Sequence, residues 1–497
     1  MKIDISTRSI FKNSILNLIG LASPLFVAII TIPIIIGHLG IERFGFLTIA
    51  WAMVGYFGLF DIGLSRALTH LISKTIATGR LDDIPSFIWT SLSTMLILGI
   101  IGSVVVFLLS DVLVTKILIV SEGLHEEFIH SIRVLTLSIP IVIISTGLKG
   151  VLEAYQRFAN TNMIQLLIGF SNFISPLVVL LFSNSLVYII LLMFVTRALS
   201  LLLYLYYTKL IIPHLFRQIS VRLDILRSLL SFGGWVSVST IIGPVMVYFD
   251  RFIIGTFISV SIVAYYTTPY EIISRVTLIS VAISGALFPT LSSVLCVDNH
   301  KAIELFDRAL RYVTITVFPV ILLVITFAQN ALHIWLGSNF AHESTPILQC
   351  LALGVFINCV AFIPFAFIQA SNRPDITAKI HLFELPIYLF ALSMLVKSIG
   401  IFGAAVAWTL RVTIDAGLLI FATNKISPMT SQVILRMLFW VFICVLFFVV
   451  GIFVSGRFLS WFFATITVLC FFLVSWLFIL KQDERLFIKN KILRCMH

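Results

Sequence analysis

Apolar residues run along this chain in long stretches broken by short polar gaps, and fourteen of these stretches are long enough to cross a bilayer. They lie at about 11 to 36, 43 to 72, 87 to 110, 129 to 152, 161 to 182, 186 to 212, 228 to 256, 263 to 293, 310 to 333, 347 to 369, 380 to 398, 401 to 424, 437 to 455 and 459 to 480. A bilayer core takes roughly 20 apolar residues per helix and leaves backbone groups no water to bond, so the pattern predicts helices. The ~10-residue alternating segments of a membrane β-barrel are absent. The narrowest gap is Lys397 to Gly400, where Gly400 and Gly403 permit a tight turn.

Composition agrees with lipid as the main solvent. Hydrophobic residues make up 60% and charged residues 11% of 497 positions, and the mean hydropathy is +1.12. The chain is therefore expected to be an all-α polytopic membrane protein of about 14 transmembrane helices.

Lys and Arg set the orientation. With a cytoplasmic N-terminus, that side carries Lys2, Arg8, Lys12, Lys74, Arg80, Arg157, Lys209, Arg217, Arg222, Arg227, Lys301, Arg308, Arg311, Arg373, Lys379, Lys425, Arg436 and the run Lys481 to Arg494. The opposite side keeps only Arg43, Lys116, Lys397 and Arg457. Both termini are thus expected in the cytoplasm, and the first helix is expected to be an uncleaved anchor. A net charge of +11 spread over many short loops fits anionic lipid headgroups, not nucleic acid. Cysteines 296, 350, 359, 444, 470 and 495 form no CxxC, and the ten histidines form no HExxH, so neither a disulfide framework nor a metal or other cofactor is expected.

The chain also resembles itself, at an offset of about 214 to 219 residues. Ile36-Gly37-His38-Leu39 corresponds to Ile254-Gly255-Thr256-Phe257, and Glu153-Ala154-Tyr155-Gln156-Arg157 to Gln369-Ala370-Ser371-Asn372-Arg373. Arg197 corresponds to Arg411. An even number of helices per unit keeps the orientation, so two pseudo-symmetric six-helix lobes are expected, parallel and related by an axis along the membrane normal. The division is 1–212 for the N-lobe, 213–227 for a basic amphipathic cytoplasmic linker, 228–427 for the C-lobe, and 428–497 for a helical hairpin and basic tail. Two such lobes make a cleft, and rocking them gives alternating access.

Several segments resemble a known family. Tyr248-Phe249-Asp250-Arg251-Phe252-Ile253-Ile254-Gly255 followed by Ala264-Tyr265-Tyr266 resembles the seventh and eighth helices of Wzx-type polysaccharide flippases. Tyr56-Phe57-Gly58-Leu59-Phe60-Asp61-Ile62-Gly63-Leu64, Gln369-Ala370-Ser371-Asn372-Arg373-Pro374 and Gly400-Ile401-Phe402-Gly403-Ala404-Ala405 match at the second, tenth and twelfth helices. The resemblance implies a MATE-like two-lobe fold in a bacterial inner membrane. It also implies movement of undecaprenyl-pyrophosphate-linked oligosaccharide, for O-antigen or a similar surface polysaccharide, from the cytoplasmic to the periplasmic leaflet. Membrane lipids, a polysaccharide polymerase and a chain-length regulator are the partners it implies. Many members are drawn with twelve helices, so the last hairpin is a departure.

Charges inside the spans carry the site argument, because each costs at least ~2.5 to 3.5 kcal/mol at the bilayer centre unless it faces protein or water. Arg133, Lys149 and Glu384 lie near span ends, where snorkelling satisfies them. Arg66, Arg197, Arg251, Arg275 and Arg411 are the substrate candidates, since a pyrophosphate needs cations and Arg offers a forked donor set. Asp61, Asp250, Glu271 and Asp415 are candidates for ion coupling or charge pairing. Glu271 with Arg275 and Arg411 with Asp415 are spaced i,i+4, so internal salt bridges compete with a substrate role. No GxxxxGK[ST] loop is present, which leaves coupling to H⁺ or Na⁺, or passive flipping, open. A MATE-like small-molecule exporter or a lipid II-type flippase is the alternative. A membrane glycosyltransferase or other enzyme is disfavoured by the short loops and by the absence of a nucleophile–base pair.

Overall fold

A computed structural model describes residues 24 and 26–485 apart from 62, 79–80, 216–218, 296–297, 455, 481 and 483. Most of the first predicted span and the basic tail beyond Arg485 lie outside the described residues, as do the side chains of Arg227 and Arg457. Among the described residues every regular element is helical.

In chain order the helices are α1 (Phe26–Leu39), α2 (Ile41–Phe57), α3 (Leu64–Thr78), α4 (Ile84–Val112), α5 (His125–Thr136), α6 (Ser138–Ala154), α7 (Phe158–Leu180) and α8 (Leu186–Ile211). They continue as α9 (Leu223–Phe257), α10 (Val260–Ser274), α11 (Thr277–Leu295), α12 (Asn299–Leu336), α13 (Ser338–Ala370), α14 (Pro374–Ile399), α15 (Ile401–Ile426), α16 (Ser431–Phe453) and α17 (Arg457–Val474). Ten helical segments among the described residues are long and apolar enough to span a membrane, and α1 is a shorter apolar helix. Of the four predicted spans beyond these ten, the second and the eighth are interrupted, and the first and the seventh are only partly covered by the described residues.

Both interruptions have local causes. The second predicted span breaks after Phe57 into a 3₁₀ turn at Gly58–Asp61, and Gly63 takes φ +69°, a left-handed conformation that glycine alone adopts freely. Asp61 then caps the new helix, its Oδ1 accepting from Ser65 N at 3.0 Å and its Oδ2 from the Ser65 hydroxyl. The eighth predicted span breaks at Arg275 and Val276, between α10 and α11. Pro269 has already removed one donor from α10. The chain then passes through i→i+3 bonds, with Arg275 N on Ile272 O at 3.2 Å and Val276 N on Ile273 O at 3.1 Å.

The α14–α15 connection is a tight turn, as the glycines predict. Gly400 has φ +66°, Gly403 N bonds Gly400 O at 2.9 Å, and a Cβ on Gly403 would overlap the carbonyl of Leu395.

By internal contacts the chain forms two compact units. One runs to Thr267 and takes in Leu392–Ala404; the other comprises Thr268–Ala391 and the chain from Ala405 onward. In the first, α9 packs on α2, α3 and α4. The linker region is pinned to α4: Trp89 Nε1 donates to Leu215 O at 2.7 Å, Ser86 and Ser220 share a 2.6 Å hydroxyl bond, and Arg222 N donates to Thr90 Oγ1 at 3.1 Å. Glu127 bridges three helices, accepting from Arg43 Nε at 2.9 Å and from Leu186 N at 2.7 Å in the first turn of α8. A carboxylate suits that place because it meets the open N–H groups of a helix start.

In the second unit α12 and α13 form a long antiparallel pair, and α16 and α17 pack on α12 through Phe318, Phe448 and Phe471. Charges fasten one end of this group. Asp307 of α12 accepts from Arg311, one turn on, and from Arg436 of α16 at 2.9 Å, while Glu484 accepts from Arg311 at 2.8 Å and pairs with Arg308 at 3.2 Å. Asp307, Arg311 and Glu484 are all buried.

Candidate functional site

The nine charged candidates separate by environment. Asp250 and Arg251, adjacent on α9, are both fully buried and hold different neighbours. Asp250 accepts from Tyr266 Oη of α10 at 2.6 Å and from Arg251 N at 2.7 Å. Arg251 reaches α2, where Nη1 donates to Thr48 O at 3.2 Å, and its guanidinium lies 5.2 Å from the Tyr248 ring. Together they clasp α9 to α2 and α10. A charge-assisted hydrogen bond contributes about 1.5 to 3 kcal/mol, enough to offset much of the burial cost.

Arg197 is different. It sits near the middle of α8, about 16 Å along the axis from Leu186, and is 4% exposed. Its Nη2 donates to Asn172 Oδ1 of α7 at the long distance of 3.5 Å, and its Nη1 is buried without a hydrogen bond. Around it runs a polar seam: Thr196 Oγ1 donates to Ser171 Oγ at 3.1 Å, and Ser175 and Ser200 are buried. No acid lies within ion-pair distance of Arg197 among the described residues. Its single hydrogen bond is long and its Nη1 has none, so the guanidinium is under-satisfied for a buried cation.

Arg275 lies at the α10–α11 break and pairs with Glu271 at 3.2 Å, the i,i+4 contact expected from spacing. Both side chains are about one-third exposed, and Arg275 Nε is buried without a hydrogen bond. Arg66 is exposed on the first turn of α3, one turn beyond the cap made by Asp61.

The expected Arg411–Asp415 bridge does not form. Arg411 lies 5.5 Å from the Tyr388 ring, and Asp415 faces His381 Nε2 at 3.6 Å. Across from them Glu384, expected near a membrane surface, is 4% exposed with neither carboxylate oxygen hydrogen-bonded. α14 begins at Pro374, not 380, which places Glu384 about 15 Å from the helix start, and its side chain is packed against protein instead of reaching outward. His381 and Glu384 are the functional candidates that span-end reasoning passed over. The spacing of Glu384 from Gly400, nearly equal to that of Asp415 on the return helix, is the signal that pairs these two, and His381 lies about one turn farther along α14.

Several further side chains have defined neighbours. Arg133 pairs with Asp111 at 2.9 Å and Lys149 with Glu153 at 3.8 Å, both partly exposed, as snorkelling requires. Trp51 packs on Phe44 and Phe173, Tyr56 on Tyr248, and Tyr270 on Trp408, so these rings face protein. Cysteines 350, 359, 444 and 470 are free, and no group of three metal-ligating residues occurs among the described residues.

Comparison with known proteins bears on what such a scaffold serves. Residues 38–345 match a family described as polysaccharide biosynthesis protein. The chain is similar to a putative O-antigen transporter of Shigella flexneri, 35% identical over 422 residues that cover 83% of this chain and 97% of that one. It is also similar to a probable low-salt glycan biosynthesis flippase of Haloferax volcanii, 28% identical over 190 residues, 38% of this chain and 40% of the relative. Among solved structures, the lipid II flippase MurJ in an inward closed conformation aligns with a TM-score of 0.70 at 12% identity, covering 95% of this chain and 98% of that one. A multidrug resistance MATE family transporter in an inward-facing conformation aligns with a TM-score of 0.70 at 16% identity, covering 84% and 99%. These two alignments show the fold, whereas the family match and the nearly full-length relative show the lineage: the chain belongs to the polysaccharide biosynthesis protein family, the group its Wzx-like motifs resemble.

Proposed function

We propose that the protein is a flippase that carries a lipid-linked polysaccharide unit across the bacterial inner membrane, with both termini in the cytoplasm. The observation that carries this reading is the nearly full-length similarity to a putative O-antigen transporter. Membrane lipids and the lipid-linked oligosaccharide are its partners, and transport in place of catalysis is the activity. The cargo is an oligosaccharide on undecaprenyl pyrophosphate, and it passes from the cytoplasmic to the periplasmic leaflet by alternating access of the lobes 1–212 and 228–427. A polysaccharide polymerase and a chain-length regulator act on the delivered unit.

Arg197 supports an anionic cargo, because a forked guanidinium with one nitrogen unbonded can take two phosphate oxygens. Arg275 is half-open to the same chemistry and is held in place by Glu271. Arg66 is exposed and available to a phosphate. Arg251 and Asp250 stabilise the site from behind. Interrupted spans at corresponding positions of two halves are a feature of transporter binding sites, and the breaks at Gly58–Asp61 and at Arg275 fit it.

Gene deletion tests the reading. Loss of surface polysaccharide with accumulation of lipid-linked units on the cytoplasmic leaflet, both reversed by the wild-type gene, is the expected result. Normal polysaccharide in a deletion strain that lacks a second flippase removes the reading and brings the small-molecule exporter forward.

A further inference from the structure

The α14–α15 hairpin brings together a group of side chains that the transport reading leaves unused. Because Gly400 turns the chain tightly, positions equally far from it on the two helices face each other, and the i,i+4 spacing repeats on both sides. Tyr388 meets Arg411, and Glu384 comes within electrostatic reach of Asp415, Arg411 and His381. The ring of His381, about one-third exposed, stands 3.6 Å from Asp415 Oδ1. On the α13 side the neighbours are apolar: Phe365 stacks on the His381 ring, and Ile357, Ala361 and Ile368 pack with Ala416 and Leu419. The titratable α13 residue that touches α15 is Cys350, whose Sγ lies 3.6 Å from Thr409 Oγ1, while the buried Cys359 faces Ser280 of α11.

The charge balance is what makes the cluster unusual. Two carboxylates, Glu384 at 4% and Asp415 at 8% exposure, face one cation, Arg411, whose Nε makes no hydrogen bond. Neither Glu384 oxygen nor Asp415 Oδ1 is hydrogen-bonded. An ionised carboxylate without donors is costly in an apolar interior, and one surplus negative charge remains after Arg411 is counted. A single proton removes that surplus. Among the described residues no group of three His, Cys, Asp or Glu side chains is placed to hold a metal ion.

We propose that Glu384 and Asp415 share one exchangeable proton, with the partly exposed His381 passing it between the aqueous side and the buried pair, and that this proton is the coupling ion of the transport described above. The step is a plain transfer: water or hydronium gives a proton to the His381 imidazole, which releases it to a carboxylate oxygen, and the reverse step restores both groups. Its coupling half rests on the flippase reading, but the binding half does not.

Infrared difference spectroscopy of the purified full-length protein in lipid nanodiscs tests the binding half without substrate. Stepping the pH through neutrality is expected to raise and lower a protonated-carboxyl band that is absent from Glu384→Gln. Asp415→Asn, which takes away the neighbouring negative charge, is expected to move the titration to lower pH by about one unit or more, a tenfold weaker hold on the proton. If Glu384→Gln does not fold, Asp415→Asn decides alone. A band unchanged in both variants, or one displaced at constant pH by sodium but not by choline, overturns the proposal. For the coupling half, Glu384→Gln at wild-type abundance is expected to lower polysaccharide export in the deletion strain at least tenfold, and undiminished export overturns it. Should the deletion strain show no defect at all, the flippase reading fails while the spectroscopic result stands.

Discussion

Consecutive residues can have opposite tasks in a membrane, and Asp250 and Arg251 do not: both are fully buried, and both hold helices together. Each holds its own neighbour. Arg251→Ala is expected to destabilise the protein by about 1.5 to 3 kcal/mol, since it removes the charge-assisted bond to Thr48 O and the contact with the Tyr248 ring. Size-exclusion profiles and melting temperature in detergent check this, and a wild-type melting point contradicts it. At an exposed position the same chemistry is gentler. Asp298 caps α12 by accepting from Lys301 N at 3.1 Å, and that backbone donor, with the Lys301 side chain, holds its carboxyl below the usual range. A lowered folded-state value means that the stabilisation is present above the unfolded value of about 3.9 and is lost as pH falls through the folded value. Asp298→Asn should therefore lower the melting temperature slightly at neutral pH and make no difference in strong acid. The sign of each charge was legible in the sequence, and so was the i,i+4 pair of Glu271 and Arg275, but the burial of Glu384 and the partners across helices were not, because a side chain's neighbour across a helix pair depends on rotation and register.

At the scale of elements, glycine positions carried more of the architecture than hydropathy did. The narrow gap at Lys397 to Gly400 proved a true hairpin, and the register it sets aligns Glu384 with Asp415. Gly403→Val would push a side chain into the Leu395 carbonyl. It is expected to reduce folded yield severely, whereas a Val at the exposed Gly37, within α1 and with no atom near its Cβ position, is expected to cost little. Comparing fluorescence-detected yields of the two variants checks this. Hydropathy missed the breaks at Gly58–Asp61 and Arg275–Val276 because apolar residues continue through them. The last hairpin, a departure from the twelve-helix pattern, is fastened to α12 by Asp307, Arg311, Arg436 and Glu484. Asp307→Asn leaves two arginines short of an acceptor and is expected to weaken that attachment by about 1 to 3 kcal/mol. Faster hydrogen exchange confined to α16 and α17 would show it, and unchanged protection would refute it.

Over the whole molecule the internal repeat is visible in backbone geometry as well as in sequence. The turns after α6 and α13 each place a non-glycine residue in the left-handed region, Gln156 and Asn372, both at φ 57°. Each turn also carries the same 6→1 bond, Arg157 N on Leu152 O at 2.8 Å and Arg373 N on Ile368 O at 3.2 Å. Arg197 and Arg411 correspond at a nearly equal offset yet differ in surroundings, one in a neutral polar seam and the other among acids. This asymmetry assigns them different work. Arg197→Gln at matched abundance is expected to lower polysaccharide export roughly ten- to a hundredfold, the equivalent of one charge-assisted bond, with Arg197→Lys intermediate because a point charge cannot fork. Export equal to wild type in Arg197→Gln would take that residue out of the cargo path.

Composition and spacing alone determined that this protein lives in lipid, that it is helical, and which few residues bear charge inside the apolar runs, and they pointed to an internal repeat. Those properties follow from apolar run length, from a nearly constant repeat offset and from the energetics of ions in hydrocarbon, all of which are local or additive along the chain. Tertiary structure decided which charges are neutralised and which are not. It bound Asp250 and Arg251 to their neighbours, left Arg197 with an open nitrogen, and set Glu384 beside Asp415, because electrostatic balance inside a membrane is a property of helix register and rotation and not of any one helix.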